Sequence, residues 1–244
     1  MSRETNFHAL ILKKQHFGEA DELITFYTKE TGKVRGLAKS IRLQKSKLQS
    51  FLQALFYVEI TLAKSRTASG IKKIIKAQTL ETFSNIRGNL PALKAVFFVL
   101  EAVLKGTPDE HKNEKLFNLL LNFLTYCNQK KLAHEFLEIA LVKFNIMFLE
   151  TIGLKVREPQ GKQGKNYYFS NFKGGWTTSN NVSDAIRIEP EIFKQFLEIK
   201  QAEFLKIGNL HFHDIKILKN LVTHFLEYQL EREMKAKKYL NAEM

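Results

Sequence analysis

The spacing of apolar residues changes after about residue 80, and this change constrains the fold more than any other feature of the chain. Up to residue 80, β-branched and aromatic residues recur in short runs bounded by turn residues, which is typical of strands. From Pro91 onward the apolar residues recur at helical spacing. We therefore predict an α+β protein with a small barrel domain at residues 1–80 and an α-helical domain at residues 81–244.

The predicted barrel contains five short strands. They lie at residues 7–13, 23–28, 33–39, 56–62 and 71–80. Gly32 precedes the third strand, and a glycine there supplies the positive φ that a tight hairpin turn often requires. Residues 56–62 alternate apolar and polar side chains with a period of two, so this strand has one buried face.

The helical domain begins at Pro91, which suits a first helical turn, and its first helix is expected to stop at Gly106 before Pro108. Further helices are predicted at residues 116–124, 136–148, 190–199 and 214–239. Residues 154–184 are rich in Gly, Asn, Ser and Lys and contain aromatic islands, which predicts a loop or small β insertion between helices.

Positive charge is concentrated in the barrel segment. The chain has a net charge of +13, and between Glu30 and Glu81 there are eleven bases and a single acid, Glu59. This segment therefore accounts for +10 of the net charge, which favours a polyanionic partner over an evenly charged, solvated surface. A basic face without a specific partner remains the alternative.

The bases of the third predicted strand and of the loop after it form the candidate nucleic-acid contact set. Lys33, Arg35 and Lys39 occupy odd positions, so a strand places them on one face. With the loop bases, the set is Lys33, Arg35, Lys39, Arg42, Lys45 and Lys47. These cations neutralise phosphates and release counterions. Nearby aromatic residues either stack on unpaired bases or fill the barrel core: Phe51, Phe56 and Tyr57.

Catalytic and metal-binding patterns are scarce. The sequence has no phosphate-loop, dinucleotide-binding or nucleophile-elbow motif and no H-E-x-x-H, so we expect no catalytic residue and no cofactor. Cys127 is the only cysteine, which excludes an intramolecular disulfide and a zinc site built mainly on thiolates. His211, His213 and Asp214 suit either a metal site or a helix N-cap with nearby polar histidines. No apolar run is long enough to span a bilayer, so we expect no membrane partner and a cytoplasmic protein.

Several ordered motifs resemble the N-terminal domain of the RecO family. They are Ala9 to Lys13, Phe17 to Leu23, Phe26 to Lys33, Leu37 to Lys39 and Lys45 to Leu48. Phe148 to Leu154, Gly174-Gly175 and Arg232 to Leu240 extend the likeness across the helical part. The resemblance implies an OB-fold joined to an α-helical domain, in a bacterial, nucleoid-associated protein that is not an enzyme.

The resemblance also implies a set of activities and partners. Proteins of this family bind single- and double-stranded DNA, anneal complementary strands and contact the tail of single-strand-binding protein. With RecR they help to load RecA, so RecA is an indirect partner. By residue matching, the six bases from Lys33 to Lys47 would contact phosphates. The tail is acidic and ends in a hydrophobic residue, so its candidate contacts are bases of the helical domain: Lys130, Lys131 and Lys143.

Two departures from the family pattern change these expectations. Many members place four cysteines in the segment equivalent to residues 156–178, and this chain has none there, so we expect no zinc. Hydrogen bonds and four aromatic residues are expected to hold the insertion instead: Tyr167, Tyr168, Phe169 and Trp176. The C-terminal match is partial, so the resemblance assigns no firm contact to Lys235, Lys237 or Lys238.

Two other functions compete with the DNA-binding hypothesis. An OB-type RNA-binding factor associated with ribosomes or RNA processing would have the same charge pattern, and it would prefer structured RNA through 2′-hydroxyl contacts. A nuclease would require a metal-binding carboxylate cluster, which the sequence does not reveal. Annealing of complementary DNA coated by single-strand-binding protein distinguishes a mediator from an RNA-binding factor.

Overall fold

The computed structural model describes residues 4–63, 70–130, 132–159, 166–210, 212 and 215–240. The chain forms two compact units. The first consists of Met1–Arg87 and Thr107–Leu121, and the second of Gly88–Gly106 and Asn122–Met244. The chain therefore passes from the first unit to the second and back before it completes the second.

The first unit contains a closed five-stranded barrel. Its strands are β1 (Glu4–Phe17), β2 (Asp21–Thr28), β3 (Gly32–Ala38), β4 (Tyr57–Ala63) and β5 (Lys72–Glu81). Around the barrel they follow the order β1-β2-β3-β5-β4, with β3 and β5 parallel and the other neighbours antiparallel. This is the OB-fold that the sequence predicted.

The barrel closes because β1 is long enough to pair with two neighbours. Its first half pairs with β4 and its second half with β2, and the pairing register shifts between Ile11 and Lys13. Such a bulge bends a strand and increases its twist, which barrel closure requires. The interior is filled by inward-facing apolar side chains, including Phe26, Val34 and Ile60. Gly32 has a φ of +77°, as the hairpin pattern predicted.

The helices follow the predicted spacing closely. They are α1 (Ser84–Arg87), α2 (Leu90–Gly106), α3 (Glu114–Cys127), α4 (His134–Thr151), α5 (Pro190–Gln201), α6 (Ile215–Leu230) and α7 (Lys237–Leu240), with a 3₁₀ helix at Phe204–Asn209. In the second unit α4 is buried on almost every side, and it packs against α2, α5 and α6. It is therefore the central helix of that unit.

The continuous helix predicted for residues 214–239 is wrong at its C-terminal end. Glu231 has a φ of +50°, and the backbone turns there instead of continuing α6. The carboxylate of Glu101 accepts hydrogen bonds from the backbone N–H groups of Lys235 (2.9 Å) and Ala236 (2.7 Å). These long-range contacts hold the segment before α7 in a non-helical conformation, and helical spacing alone does not reveal them.

The insertion contains a small three-stranded sheet, which confirms the predicted loop or β insertion, although its third strand lies beyond the predicted end at residue 184. Its strands are β6 (Tyr167–Ser170), β7 (Gly175–Thr177) and β8 (Ile186–Ile188), in the order β7-β6-β8. Phe169 packs perpendicular to Trp176, with ring centroids 5.3 Å apart. Asp184 accepts hydrogen bonds from the Ser170 hydroxyl (2.5 Å) and the Phe172 N–H (3.0 Å). Aromatic packing and a carboxylate cap hold this sheet together.

Candidate nucleic-acid interface

Strand β3 shows the predicted alternation of faces. Val34 and Ala38 point into the barrel, and Lys33 and Arg35 lie on the opposite, outer face. Leu37 also lies on that outer face and is half-buried. Lys39 follows the end of the strand and is exposed. The period-two pattern therefore identified the outer face of β3 correctly.

The chain after β3 forms a series of turns that present further bases. Ile41 and Leu52 are buried in the barrel core and anchor the two ends of this stretch. The Ser40 N–H donates to the Asp21 carboxylate at 2.7 Å, and the Arg42 guanidinium donates to a backbone carbonyl in the β1–β2 turn, 3.0 Å away. The stretch is thus fixed against that turn. We call residues 39–47 the basic segment.

The basic segment leaves its cations in solvent. All four of its bases are exposed: Lys39, Arg42, Lys45 and Lys47. None of the ion pairs between described residues involves any of the four. The three lysine ammonium groups are exposed and available to phosphate oxygens, whereas the Arg42 guanidinium also donates to the β1–β2 turn. The structure brings these four predicted residues together in one continuous stretch.

The two strand bases have different surroundings. Lys33 is largely buried, with 12% of its side chain exposed, and its ammonium lies 3.3 Å from the Asp109 carboxylate and donates to the Thr107 carbonyl oxygen. Arg35 is 44% exposed, and its guanidinium lies 3.4 Å from the other carboxylate oxygen of Asp109. Both predicted contact residues are therefore already bound by the protein itself.

The segment that binds them runs from Thr107 to Glu114, and we call it the acidic strap. Its Glu110 pairs with Lys72 of β5, and its Glu114 lies 3.3 Å from the Lys29 ammonium. The backbone N–H of Glu110 donates to the Lys33 carbonyl oxygen at 2.8 Å. The strap therefore pairs with β3 through its backbone and neutralises part of the outer face of that strand.

Burial of aromatic residues confirms that this outer face is covered. Tyr27 is paired across the hairpin with Lys33, so it shares the outer face, yet only 1% of it is exposed. Burial raises its pKa to about 12. Tyr57 of β4 contacts the Phe117 ring of α3, with centroids 6.0 Å apart. The basic segment and the neighbouring β1–β2 turn, in contrast, are mostly exposed.

The aromatic candidates from the sequence differ in accessibility. Phe56 is buried, and the Arg87 guanidinium lies over its ring. Tyr57 is half-buried against Phe117. Phe51 is 37% exposed, and it lines an open groove with Lys47 and Lys76. Of the three, Phe51 is the one with its ring at the surface.

Phe17 is an exposed aromatic residue that sequence reasoning missed. It ends β1 with 48% of its surface exposed, immediately before the turn to which Arg42 donates. It follows a run of polar residues, Lys13 to His16. An isolated aromatic residue at the end of such a run is the sequence feature that could have identified it as exposed. A solvent-facing ring beside cations is the arrangement that binds unpaired bases.

The lysines predicted to contact a protein tail also differ in their exposure to solvent. Lys130 is exposed, and Lys131 lies outside the described residues. Lys143 is buried on α4, where its ammonium donates to the carbonyl oxygens of Ile199 (3.2 Å) and Lys200 (3.3 Å) at the end of α5. Burial lowers the pKa of Lys143. Its ammonium thus binds the C-terminus of α5, where the helix dipole stabilises a positive charge.

A solvent-open cleft of about 710 Å³ lies in the second unit beside the insertion. Lys155, Arg157 and Lys173 are among its lining residues and are exposed. Phe172 and Tyr228 supply exposed aromatic surface at the same cleft. The cleft therefore combines bases with apolar surface, as the receptor of an acidic tail would need.

The described residues contain neither a group of metal-ligating side chains nor a membrane-spanning helix. In the described parts of the chain, no three His, Cys, Asp or Glu side chains form a group that could hold a metal ion. His211, His213 and Asp214 lie outside those parts, and the expected independence of metal stays a prediction. Among the described residues, no helix is long and apolar enough to cross a bilayer.

Comparisons with known proteins agree over nearly the whole chain. Residues 1–83 match the family model described as recombination protein O N terminal, and residues 87–238 match recombination protein O C terminal. A DNA repair protein RecO of Dehalococcoides mccartyi is 30% identical over 245 residues, covering 96% of this chain and 94% of that protein. A DNA repair protein RecO of Bifidobacterium animalis is 24% identical over 239 residues, covering 96% and 97%. The chain therefore belongs to the RecO family of DNA repair proteins.

Proposed function

We propose that this protein is a recombination mediator that binds single- and double-stranded DNA and anneals complementary strands, rather than an enzyme. With RecR it helps to load RecA on DNA coated by single-strand-binding protein, at the nucleoid in the bacterial cytoplasm. The observation that supports this proposal most directly is the basic segment, residues 39–47, whose four cations are exposed beside an OB barrel. Membership of the RecO family supports the repair context.

The basic segment suits phosphate binding without sequence preference. Three of its four bases are lysines, and a lysine ammonium is a flexible point charge that is poorly suited to bidentate recognition of a base. Lys39, Lys45 and Lys47 would contact the backbone directly. Arg42 would contribute charge while its guanidinium also holds the β1–β2 turn. Lys33 and Arg35 would add to this track only to the extent that Asp109 leaves them free.

Exposed aromatic rings would distinguish single strands from duplexes. Phe17 and Phe51 are the candidates, because each exposes part of its ring near the basic segment. Unpaired bases stack on such rings, whereas the bases of a duplex are already stacked on each other. A mediator that pairs complementary strands requires this access to unpaired bases.

The tail of single-strand-binding protein would bind the second unit. An acidic segment with a hydrophobic end matches the cleft that combines Lys155 and Arg157 with the rings of Phe172 and Tyr228. Lys130 offers a second exposed base. In titrations with a labelled tail peptide, Arg157→Ala should bind the peptide more weakly than Lys130→Ala does. The reverse order would show that the tail binds outside the cleft.

Strand annealing tests the proposed function as a whole. Two complementary oligonucleotides, each coated with single-strand-binding protein, are mixed with and without the protein, and pairing is followed by energy transfer between end labels. We expect faster pairing with the protein and weaker binding to structured RNA than to single-stranded DNA. A protein that leaves pairing unchanged and binds the RNA more tightly would instead be an RNA-binding factor.

A further inference from the structure

We propose that the acidic strap, residues 107–114, limits the DNA-binding surface of the barrel by occupying the cations of β3 and β5 with its own carboxylates. This inference rests on the proposed DNA binding and adds a restraint on it. Asp109 pairs with Lys33 and Arg35, and Glu110 pairs with Lys72. These carboxylates take up the same hydrogen-bond donors that a phosphate would use.

The location of the strap matters because OB-folds commonly bind oligonucleotides on the outer face of β2 and β3. In this protein Tyr27 of β2 is buried on that face, and Lys33 of β3 is largely buried. The basic segment beyond β3 has no such cover, and its bases form none of the ion pairs between described residues. The strap therefore divides the basic surface into an occupied part and a free part.

The carboxylates are not what holds the strap in place. Its backbone is fixed by the hydrogen bond from the Glu110 N–H to the Lys33 carbonyl oxygen (2.8 Å) and by a parallel bridge between Lys33 and Asp109. Gly32 allows the His111 carbonyl oxygen to approach so closely that a Cβ atom would lie 2.0 Å from it. Removing the two charges should leave this packing intact.

The ion pairs themselves add little stability. The carboxylates of Asp109 and Glu110 are 49% and 55% exposed, so water screens these pairs even though the partner lysines, Lys33 and Lys72, are largely buried. Their main effect is on the electrostatic potential near β3 and β5. Lys33 would still donate to the Thr107 carbonyl oxygen, so Arg35 and Lys72 are the two cations that become available when the charges are removed.

The test compares two doubly neutralised variants of the full-length protein. Asp109→Asn with Glu110→Gln removes the strap charges, and Glu191→Gln with Glu203→Gln removes two exposed carboxylates from the second unit as a matched control. Binding to a single-stranded oligonucleotide is measured by fluorescence anisotropy over a range of salt concentrations. Two additional phosphate contacts should steepen the log–log salt dependence of the strap variant by about 1.4 units, since each contributes about 0.7. The control should match the wild type.

A second arm does not depend on the strap variant being folded. In the otherwise unchanged protein, Arg35→Ala with Lys72→Ala should alter the salt slope far less than Lys39→Ala with Lys45→Ala, because the first pair is already neutralised. Equal losses for the two pairs, or an equal gain in the control variant, would overturn the inference while leaving DNA binding established. A wild-type protein that does not bind DNA would overturn the proposed function and this inference together.

Discussion

Phe17 and Cys127 show how differently two apolar side chains can contribute to this protein. Phe17 is 48% exposed at the end of β1, where its ring adds nothing to the barrel core, and it adjoins the turn that Arg42 binds. Cys127 is fully buried at the end of α3, where burial raises the pKa of its thiol. The first side chain is therefore accessible from solvent, whereas the second is part of the core.

Replacement of Phe17 with alanine should weaken binding to single strands more than binding to duplexes. Loss of one base–ring stack costs about 1–3 kcal/mol, and a duplex offers no unpaired base to lose. Phe172→Ala is the matched control, because Phe172 is 75% exposed but lies in the second unit. Anisotropy titrations with single- and double-stranded oligonucleotides of equal length measure the difference. Equal losses on both would rule out stacking at Phe17.

Cys127 should make the protein less stable at alkaline pH. An unfolded thiol ionises above about pH 8.5, whereas the buried thiol stays protonated, so the native state then binds more protons than the unfolded state. The free energy of unfolding should therefore fall above that pH, by up to about 1.4 kcal/mol per pH unit. Urea unfolding at pH 7.5 to 10 should show a shallower decline for Cys127→Ala than for the wild type. Parallel curves would contradict this account.

At the scale of elements, the close contact between the strap and the start of β3 depends on a glycine. Gly32 has a φ of +77° and faces the His111 carbonyl oxygen at a distance that excludes a Cβ atom. Gly18 has a similar φ of +65°, but nothing lies within 4 Å of its Cβ position. The two glycines therefore separate the effect of backbone conformation from the effect of strap contact.

We expect Gly18→Ala to cost about 1–2 kcal/mol, the usual penalty for a left-handed backbone at a residue with a Cβ atom. Gly32→Ala should cost about 1–3 kcal/mol more, because overpacking against backbone adds to that penalty. Chemical unfolding in urea measures both. Equal destabilisation by the two substitutions would mean that the strap moves away from β3 without a significant loss of packing.

The strands and the basic segment could be predicted from sequence, but the strap could not. Alternation along β3 assigned Lys33 and Arg35 to one face because strand geometry is local. Their pairing with Asp109 depends on a segment far away in the chain, and no local pattern around Pro108 indicates it. The break after α6 was missed for the same reason, since Glu101 of α2 holds the backbone there.

For the whole molecule, the chain passes between the two units more than once, and this affects where it can be cut into separate domains. The predicted boundary after residue 80 treats the barrel as complete, and it stays a prediction. The first unit also includes Thr107–Leu121, whose Phe117 contacts Tyr57 of the barrel. A division by one cut after residue 80 would therefore remove the strap and the start of α3 from the barrel surface.

The basic segment should account for a measurable share of the salt dependence of DNA binding by the whole protein. Replacing Lys39, Lys45 and Lys47 with alanine removes three exposed cations that none of the described ion pairs involves. The log–log salt slope should become shallower by about 2 units on single strands and about 2.7 on duplexes, because each phosphate contact contributes about 0.7 or 0.9. Binding should weaken by a similar factor on unrelated sequences.

The matched control replaces Lys130, Lys216 and Lys235, three exposed lysines of the second unit that likewise form none of the ion pairs between described residues, so that the net charge changes equally. Replacing them should leave the slope close to that of the wild type, because a side chain outside the proposed contact set makes no phosphate contact to lose. Thermal unfolding should be unchanged in both triple variants, since every substituted side chain is exposed. If the two variants shift the slope equally, net charge and not the basic segment determines binding. If the first variant loses affinity for one sequence only, the segment contacts bases and not the backbone.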